Sequence, residues 1–557
     1  MSKKILSILF LFCVAGIFNN IFAQDLQNNN FDSIDFNDAV EDVVDSEFYD
    51  SYLSQFDRAK TLIIVEPVRQ HEMNPQITQY SNDSFLLSSL YEGLFSYNPI
   101  TLEPEFAIAE TYKLSRDKKR CQISLRKNAK FSNGKPINSQ AVRQSFLMLL
   151  SEPEAPYSSM LDIIEGAQDF RMGKGSADNV GIFCLDENTI SIHLNSPANY
   201  LPSVLCHTSF VIVSTEPFVY SGAYELEDID SNCYFLKKNP EYWDKENTVM
   251  EKIIFWQSDD KAENAYMMNI GFADWVTSDI DLNLTINKKL TQINPEFATQ
   301  FLFFRNSEKK YTKSKAKSVW DYQEFRNAVL EALPWENFRK DSYVAATTLV
   351  YPLIGYPAVE GFSYTDELEA KKLMDEARKK YKISAEEKIP LKIQLPKNVL
   401  SKENIDELLK ALEPLGIDVN IEEISSYNYI QSMRSSDADI FCYTWIGDFA
   451  DPLAFLELFR SNSTLNDSGY SDKEFDSLIE KAAYVNTQER YELLAKAETR
   501  LLDSGYIIPI CHPVSFNVLN LSCLGGWINN AFDYHPLKYI YRKPNSGFDG
   551  IVVNLEK

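Results

Sequence analysis

The segment from Cys121 to Leu150 constrains this chain's fold more than any other, because hydrophobic period and turn chemistry change within it at identifiable residues. Cys121, Ile123 and Leu125 alternate with polar neighbours, the period of a half-buried strand. Asn133-Gly134 then supplies a turn where positive φ costs little. Val142, Phe146, Leu149 and Leu150 follow on one helical face, with Asn138 or Ser139 placed to cap it. Taken alone, this is an ordinary strand, turn and helix.

The same alternation of elements continues downstream. Thr189 to Leu194 alternates strictly, with His193 on the polar side. Thr365 to Lys380 reads as a helix with Asp366 and Glu367 in its first turn and Lys379 and Lys380 in its last, matching the macrodipole. Ile405, Leu408, Leu409 and Leu412 form another helical face, closed by Pro414 and Gly416, before Ile417, Val419 and Ile421 alternate as a strand. Strands alternating with helices imply α/β construction. At 557 residues the chain exceeds one core, and a prior of about 100 to 200 residues per domain suggests roughly three units.

The amino terminus has the layout of an export signal over residues 1–23: Lys3 and Lys4, an apolar run from Ile5 to Phe18, and Ala23 at a cleavage position. That run is short for a bilayer span. Retention as an anchor is the competing reading, since Ile21 is bulky upstream of the cut, whereas Phe12 before Cys13 argues against lipidation. Removing Lys3 and Lys4 takes the formal charge from -25 to -27, which disfavours nucleic acid and anionic lipid as partners. Residues 24–59 read as an acidic flexible tether, with no Lys or Arg between Asp25 and Asp57 and a weak amphipathic helix around Phe36 to Phe56 as the alternative. Seven cysteines remain after cleavage, an odd number without a Cys-x-x-Cys, so some are expected to be buried free thiols.

The wording of the motifs adds a resemblance. Tyr91-Glu92-Gly93-Leu94, the run from Leu125 to Pro136 with its following helix, Ser221-Gly222-Ala223-Tyr224, Asn239-Pro240-Glu241-Tyr242-Trp243 and Gly271-Phe272-Ala273-Asp274 occur in an order similar to that of the family 5 periplasmic solute-binding proteins. These are the oligopeptide- and dipeptide-binding components of ABC importers. Ser221 departs from the family's usual glycine, and Pro334-Trp335 stands where Asp-Arg is common. The resemblance spans roughly residues 60 to 545. It implies an α/β, two-lobed periplasmic binding protein fold of the large class II type, with an extra small subdomain on the first lobe. The implied division is lobe I at 60–92 and 199–304 with a return segment at 513–557, the small subdomain at 93–198, and lobe III at 305–512. The aromatic strand Phe301 to Phe304 would mark the first crossing between lobes.

The candidate site lies at Tyr443-Thr444-Trp445-Ile446-Gly447-Asp448-Phe449-Ala450-Asp451-Pro452. Ala438 to Tyr443 reads as a buried strand and Pro452 to Phe459 as a helix with Pro at its first position. Asp451 is explained as the cap. Asp448 occupies the loop at a strand's carboxyl end, where open α/β sheets leave a ligand crevice, and Trp445 and Phe449 flank it. A carboxylate there calls for a cation. The resemblance implies that Asp448 holds a peptide's terminal amine, with Trp445 and Gly447 in the same motif and Tyr157 touching the ligand from the small subdomain. Phe303 and Phe304 are candidates to border the cleft, with core as their plainer reading. Cys442 replaces an Arg that some relatives carry.

The function these features imply is an extracytoplasmic, periplasmic receptor that captures oligopeptides by strand addition in a closing cleft and delivers them to an ABC transporter permease. A monomer is expected, without cofactor or metal. Alternatives are a relative retuned for a metal chelate, haem or oligosaccharide, and a surface adhesin or scaffold. Enzyme motifs are missing: the five histidines are scattered, with no His-Glu-x-x-His and no Gly-x-Ser-x-Gly.

Overall fold

The computed structural model describes residues 46–230, 232–309, 317–340 and 342–543. The expected signal at 1–23 and most of the expected tether lie outside these residues. Three sheets organise the rest.

The first has seven strands, ordered Thr291–Pro295, Val514–Leu519, Trp275–Val276, Thr61–Glu66, Lys252–Gln257, Cys233–Lys238 and Tyr224–Asp230. Thr61–Glu66 sits centrally, parallel to both neighbours and buried along its whole length, which explains its unbroken apolar run from Leu62 to Val65. A helix, Ser46–Leu53, docks on this unit: Tyr49 is buried, its hydroxyl donates to Glu263 Oε1 at 2.5 Å, and its ring meets Phe272 edge-on at 4.6 Å. The final part of the stretch read as a tether is therefore helix, because the aromatic face around Trp256 and Phe272 gives Tyr49 and Tyr52 a surface to cover.

The second sheet has four antiparallel strands, Ala109–Leu114, Arg120–Leu125, Thr189–His193 and Ile182–Asp186. Cys121 pairs with Ile192 and Ile123 with Ile190, and the helix Ser139–Ser151 covers their buried face. Asn138 is the cap, accepting from Ala141 N at 3.0 Å.

Glu92 joins the motifs that flank this sheet. Its buried carboxylate accepts from the Tyr242 hydroxyl, from Trp243 Nε1 at 2.5 Å and from Lys538 Nζ at 2.8 Å. Ser221 fits where a glycine is usual, because its hydroxyl accepts from Glu92 N at 3.0 Å and donates to Ile212 O at 2.7 Å. Gly222 has no such latitude: a Cβ there would lie 2.6 Å from backbone atoms of Ser89 and Leu90.

The third sheet runs Val344–Ala345, Ile507–His512, Ala298–Phe304, Ile440–Ile446, Ile389–Pro396 and Ile417–Ile424, with helices Gln323–Ala332, Glu367–Tyr381, Lys402–Leu412 and Thr487–Asp503 among its connections. Ala298–Phe304 belongs wholly to this sheet, while Thr291–Pro295 belongs to the first. The first crossing therefore falls at Glu296 and Phe297, several residues before the expected boundary after Phe304. The return crossing is at Pro513, whose carbonyl accepts from Glu296 N at 3.1 Å, so the two crossings touch. One apolar cluster continues from the four-stranded sheet into the six-stranded one. All seven cysteines among the described residues are free thiols, and no described helix is long and apolar enough to cross a membrane.

Candidate ligand-binding site

The strand Ile440–Ile446 pairs along its whole length with Ala298–Phe304, but with Ile389–Pro396 only at Ile440 and Phe441. Tyr429 closes the gap where those strands diverge: its hydroxyl donates to Gln394 O at 3.1 Å and accepts from Cys442 N at 2.7 Å. The Cys442 amide thus points away from Ala298–Phe304. By the two-residue strand period, those of Thr444 and Ile446 point the same way. No described strand pairs there, so beyond the Cys442 amide, which Tyr429 takes, an open edge runs to Ile446.

That edge ends at Asp448, whose carboxyl side chain is 7% exposed. His207 faces it from the opposing unit, with Nε2 3.4 Å from Oδ1. His207 Nδ1 accepts from Ser209 N at 3.2 Å, so the neutral ring carries its proton on Nε2 and turns it toward Asp448. Burial pushes the Asp448 carboxyl up to about 8 and the His207 imidazole down to about 4. Neither group therefore has a stable counter-charge within the protein.

Aromatic rings enclose the pair. Tyr157, buried, lies 4.2 Å from the His207 ring and stacks at 6.1 Å on Trp445. Trp445 is fixed by an Nε1 bond to Ala454 O at 2.9 Å. Phe449 is parallel to Tyr200 at 6.0 Å. The Tyr97 hydroxyl lies 2.7 Å from Ser203 O and 2.6 Å from Asp448 O, its single proton shared between the two carbonyls, and ties this loop to the opposing unit. Further contacts bridge the units: Thr464 N donates to Ser159 Oγ at 3.0 Å, and Ile430 N to the Tyr80 hydroxyl at 3.3 Å.

The structure thus brings Asp448, Trp445 and Tyr157 together. Gly447 adjoins them, but its N–H is spent on Phe297 O at 2.8 Å, and a Cβ would lie 2.3 Å from the Phe297 ring. Gly447 contributes close packing and offers no free amide. Phe303 and Phe304 are corrected to core: Phe303 packs on Tyr443 and Phe441, Phe304 on Trp320, and they pair with Phe441 and Ile440 at the far end of the strand from Trp445. Asp451 Oδ1 accepts from Leu453 N at 2.8 Å, as a capping residue does, and the carboxylate also holds Arg490. Cys442 is buried in the sheet.

His207 and Tyr97 were not legible as site residues. His207 belongs to no periodic pattern, and its role follows only from the unit that faces it; Tyr97 lies on a short strand, Phe95–Tyr97, with nothing to distinguish its hydroxyl. Among the described residues no three His, Cys, Asp or Glu side chains converge as metal ligands.

Residues 103–467 match the family model described as bacterial extracellular solute-binding proteins, family 5 Middle. The chain is 25% identical over 482 residues to the oligopeptide-binding protein OppA of Bacillus subtilis, covering 81% of this chain and 87% of that one. Haemophilus influenzae OppA in complex with RPPGFSPFR superposes with a TM-score of 0.74 at 22% identity, over 88% of this chain and 100% of that one. The unliganded open form of the murein tripeptide-binding protein MppA gives 0.58 at 22% identity, over 87% and 98%.

Proposed function

The chain belongs to family 5 of the bacterial extracellular solute-binding proteins, and from that premise we propose that it is a receptor which captures oligopeptides between its two larger units outside the cytoplasm. The observation that carries this reading is the open strand edge that runs beyond Cys442 to Ile446, ending at a buried carboxylate that lacks a cation. An extended peptide offers backbone N–H and C=O groups to such an edge irrespective of its side chains. Its terminal ammonium supplies the positive charge that Asp448 lacks, through a charge-assisted hydrogen bond of about 1.5–3 kcal/mol. Trp445 and Tyr157 wall the same subsite, and Gly447 sets the loop's approach to Phe297. The names of the relatives support a peptide ligand: one is an oligopeptide-binding protein, and the Haemophilus structure contains a bound peptide.

Two touching crossings, at Glu296–Phe297 and at Pro513, form the hinge for capture and release. The protein acts without catalysis, as a monomer, and hands its ligand to the permease of an ABC importer. The test is mass spectrometry of protein purified under mild conditions and then denatured. A mixture of short peptides is expected; release of only a metal complex, haem or sugar would overturn the peptide reading.

A further inference from the structure

Charge inside the structure is unevenly compensated. Every arginine and lysine among the described residues that is buried or half-buried already has a protein acceptor. Near the interlobe loop, Arg490 is held by Asp451 and Arg460 by Glu457 at 3.3 Å, while Arg69, beside the bridging Tyr80, is held by Asp83 at 3.0 Å. Arg305, behind the six-stranded sheet, donates to the carbonyls of Asp467 and Met433. Asp448 stands opposite in kind, a buried acid whose neighbours across the interface are the neutral Tyr97 and Tyr157 and a histidine locked as an Nε2–H donor. Cys442, at the start of the open edge, is buried and brings no charge.

From this asymmetry we propose that the ligand is read by its amino end alone, its carboxyl end meeting no buried cation among the described residues, so that carboxyl-amidated or carboxyl-extended peptides bind as well as short free ones. The inference rests on the peptide-receptor reading. A ligand carboxylate enclosed here would compete for cations already engaged by protein carboxylates or backbone carbonyls, and drawing one away leaves its buried acceptor unpaired. A carboxylate directed to solvent meets only exposed side chains, whose pairing with it is weak and screened. The ligand's net charge within the enclosed site is therefore positive.

The experiment uses the full mature protein and a combinatorial pool of synthetic pentapeptides in three forms: free, amino-acetylated and carboxyl-amidated. Retention of each pool is measured by equilibrium dialysis with mass spectrometry. Acetylation should lower retention about tenfold or more, while amidation should change it by less than about threefold. A tenfold loss on amidation would show a charged partner for the carboxylate and overturn the proposal, as would undiminished retention of the acetylated pool. Failure to retain any of the three pools would instead overturn the peptide-receptor reading beneath it.

Discussion

His207 Nε2 lies 3.4 Å from Asp448 Oδ1 across the interface between units, and burial opposes the charged form of both. The pair therefore couples closure of an empty cleft to pH. In an open cleft both groups face water, with ordinary values near 3.8 and 6.5; on closure Asp448 rises to about 8 and His207 falls to about 4. Between roughly pH 4 and 6.5, closure takes up a proton at Asp448 and releases one from His207, and the two cancel. Between about 6.5 and 8 only the uptake at Asp448 remains, so the closing constant falls about tenfold per pH unit, some 2 kcal/mol in all. Tyr97 and Tyr157, which also face Asp448, are pushed well above 10 by burial and stay neutral throughout. Small-angle scattering of ligand-free protein should show the compact population shrinking across that window, and Asp448→Asn should abolish the trend.

The same substitution removes the anionic partner of the ligand's ammonium. Asp448→Asn is expected to weaken peptide binding by about 1 kcal/mol or more, the scale of a charge-assisted hydrogen bond. Titration calorimetry with a peptide recovered from the protein checks this. Unchanged affinity would remove Asp448 from the site.

Tyr97 links closure to the same loop without touching the carboxyl group. Its hydroxyl proton is shared between Ser203 O and Asp448 O, so Tyr97→Phe leaves the bridging bond unmade while the ring still packs edge-on against Phe532. The expected cost is about 0.5–1.5 kcal/mol, taken from the closed state. Ligand dissociation should therefore accelerate, about two- to tenfold, with little change in association rate. A stopped-flow trace with unaltered dissociation would refute the latch.

Much of the scaffold was legible from period and cap chemistry. Asn138 caps its helix, the helix read from Thr365 runs Glu367–Tyr381 with Asp366 at its cap rather than in its first turn, and Ile440–Ile446 is a strand, buried from Ile440 to Cys442, leading to the expected loop. The failures share a cause, which is that a local pattern does not name its partner. Phe301 to Phe304 reads as an aromatic strand in whichever unit holds it, so the crossing point was not accessible and the sequence left cleft and core both open for Phe303 and Phe304. Ser46–Leu53 has a weak pattern of its own and folds against aromatic residues some two hundred positions later. His207 acquires meaning only from Asp448, which reaches it from another unit.

Gly447 is a test of how tightly the loop is held. A Cβ at this position meets the Phe297 ring at 2.3 Å and Phe455 at 3.2 Å, and Phe297 is itself the crossing residue. Gly447→Ala must displace one of them, at a cost of about 1–3 kcal/mol by overpacking. A lowered melting temperature together with weakened peptide binding is expected, because Asp448 adjoins the displaced residue. A variant with wild-type stability would mean that the Phe297 ring yields freely.

Glu92 is a central residue of the scaffold, because two segments far from it in sequence, Tyr242-Trp243 and Lys538, converge on its carboxylate. Lys538 Nζ and Trp243 Nε1 reach it at 2.8 and 2.5 Å, and the Tyr242 hydroxyl also donates to it. Burial opposes the charge on Lys538, but Glu92 together with Tyr242, Tyr539 and Tyr534 outweighs it and holds Lys538 well above its ordinary value. Glu92→Leu would leave that ammonium uncompensated in a site where its side chain is 12% exposed, a loss of about 3–5 kcal/mol. Replacing both partners, as in Glu92→Leu with Lys538→Met, removes the stranded charge and should recover a large part of it. Urea unfolding of the single and double variants separates these effects. Equal destabilisation of the two would show that Glu92 acts through Tyr242 and Trp243 rather than through Lys538.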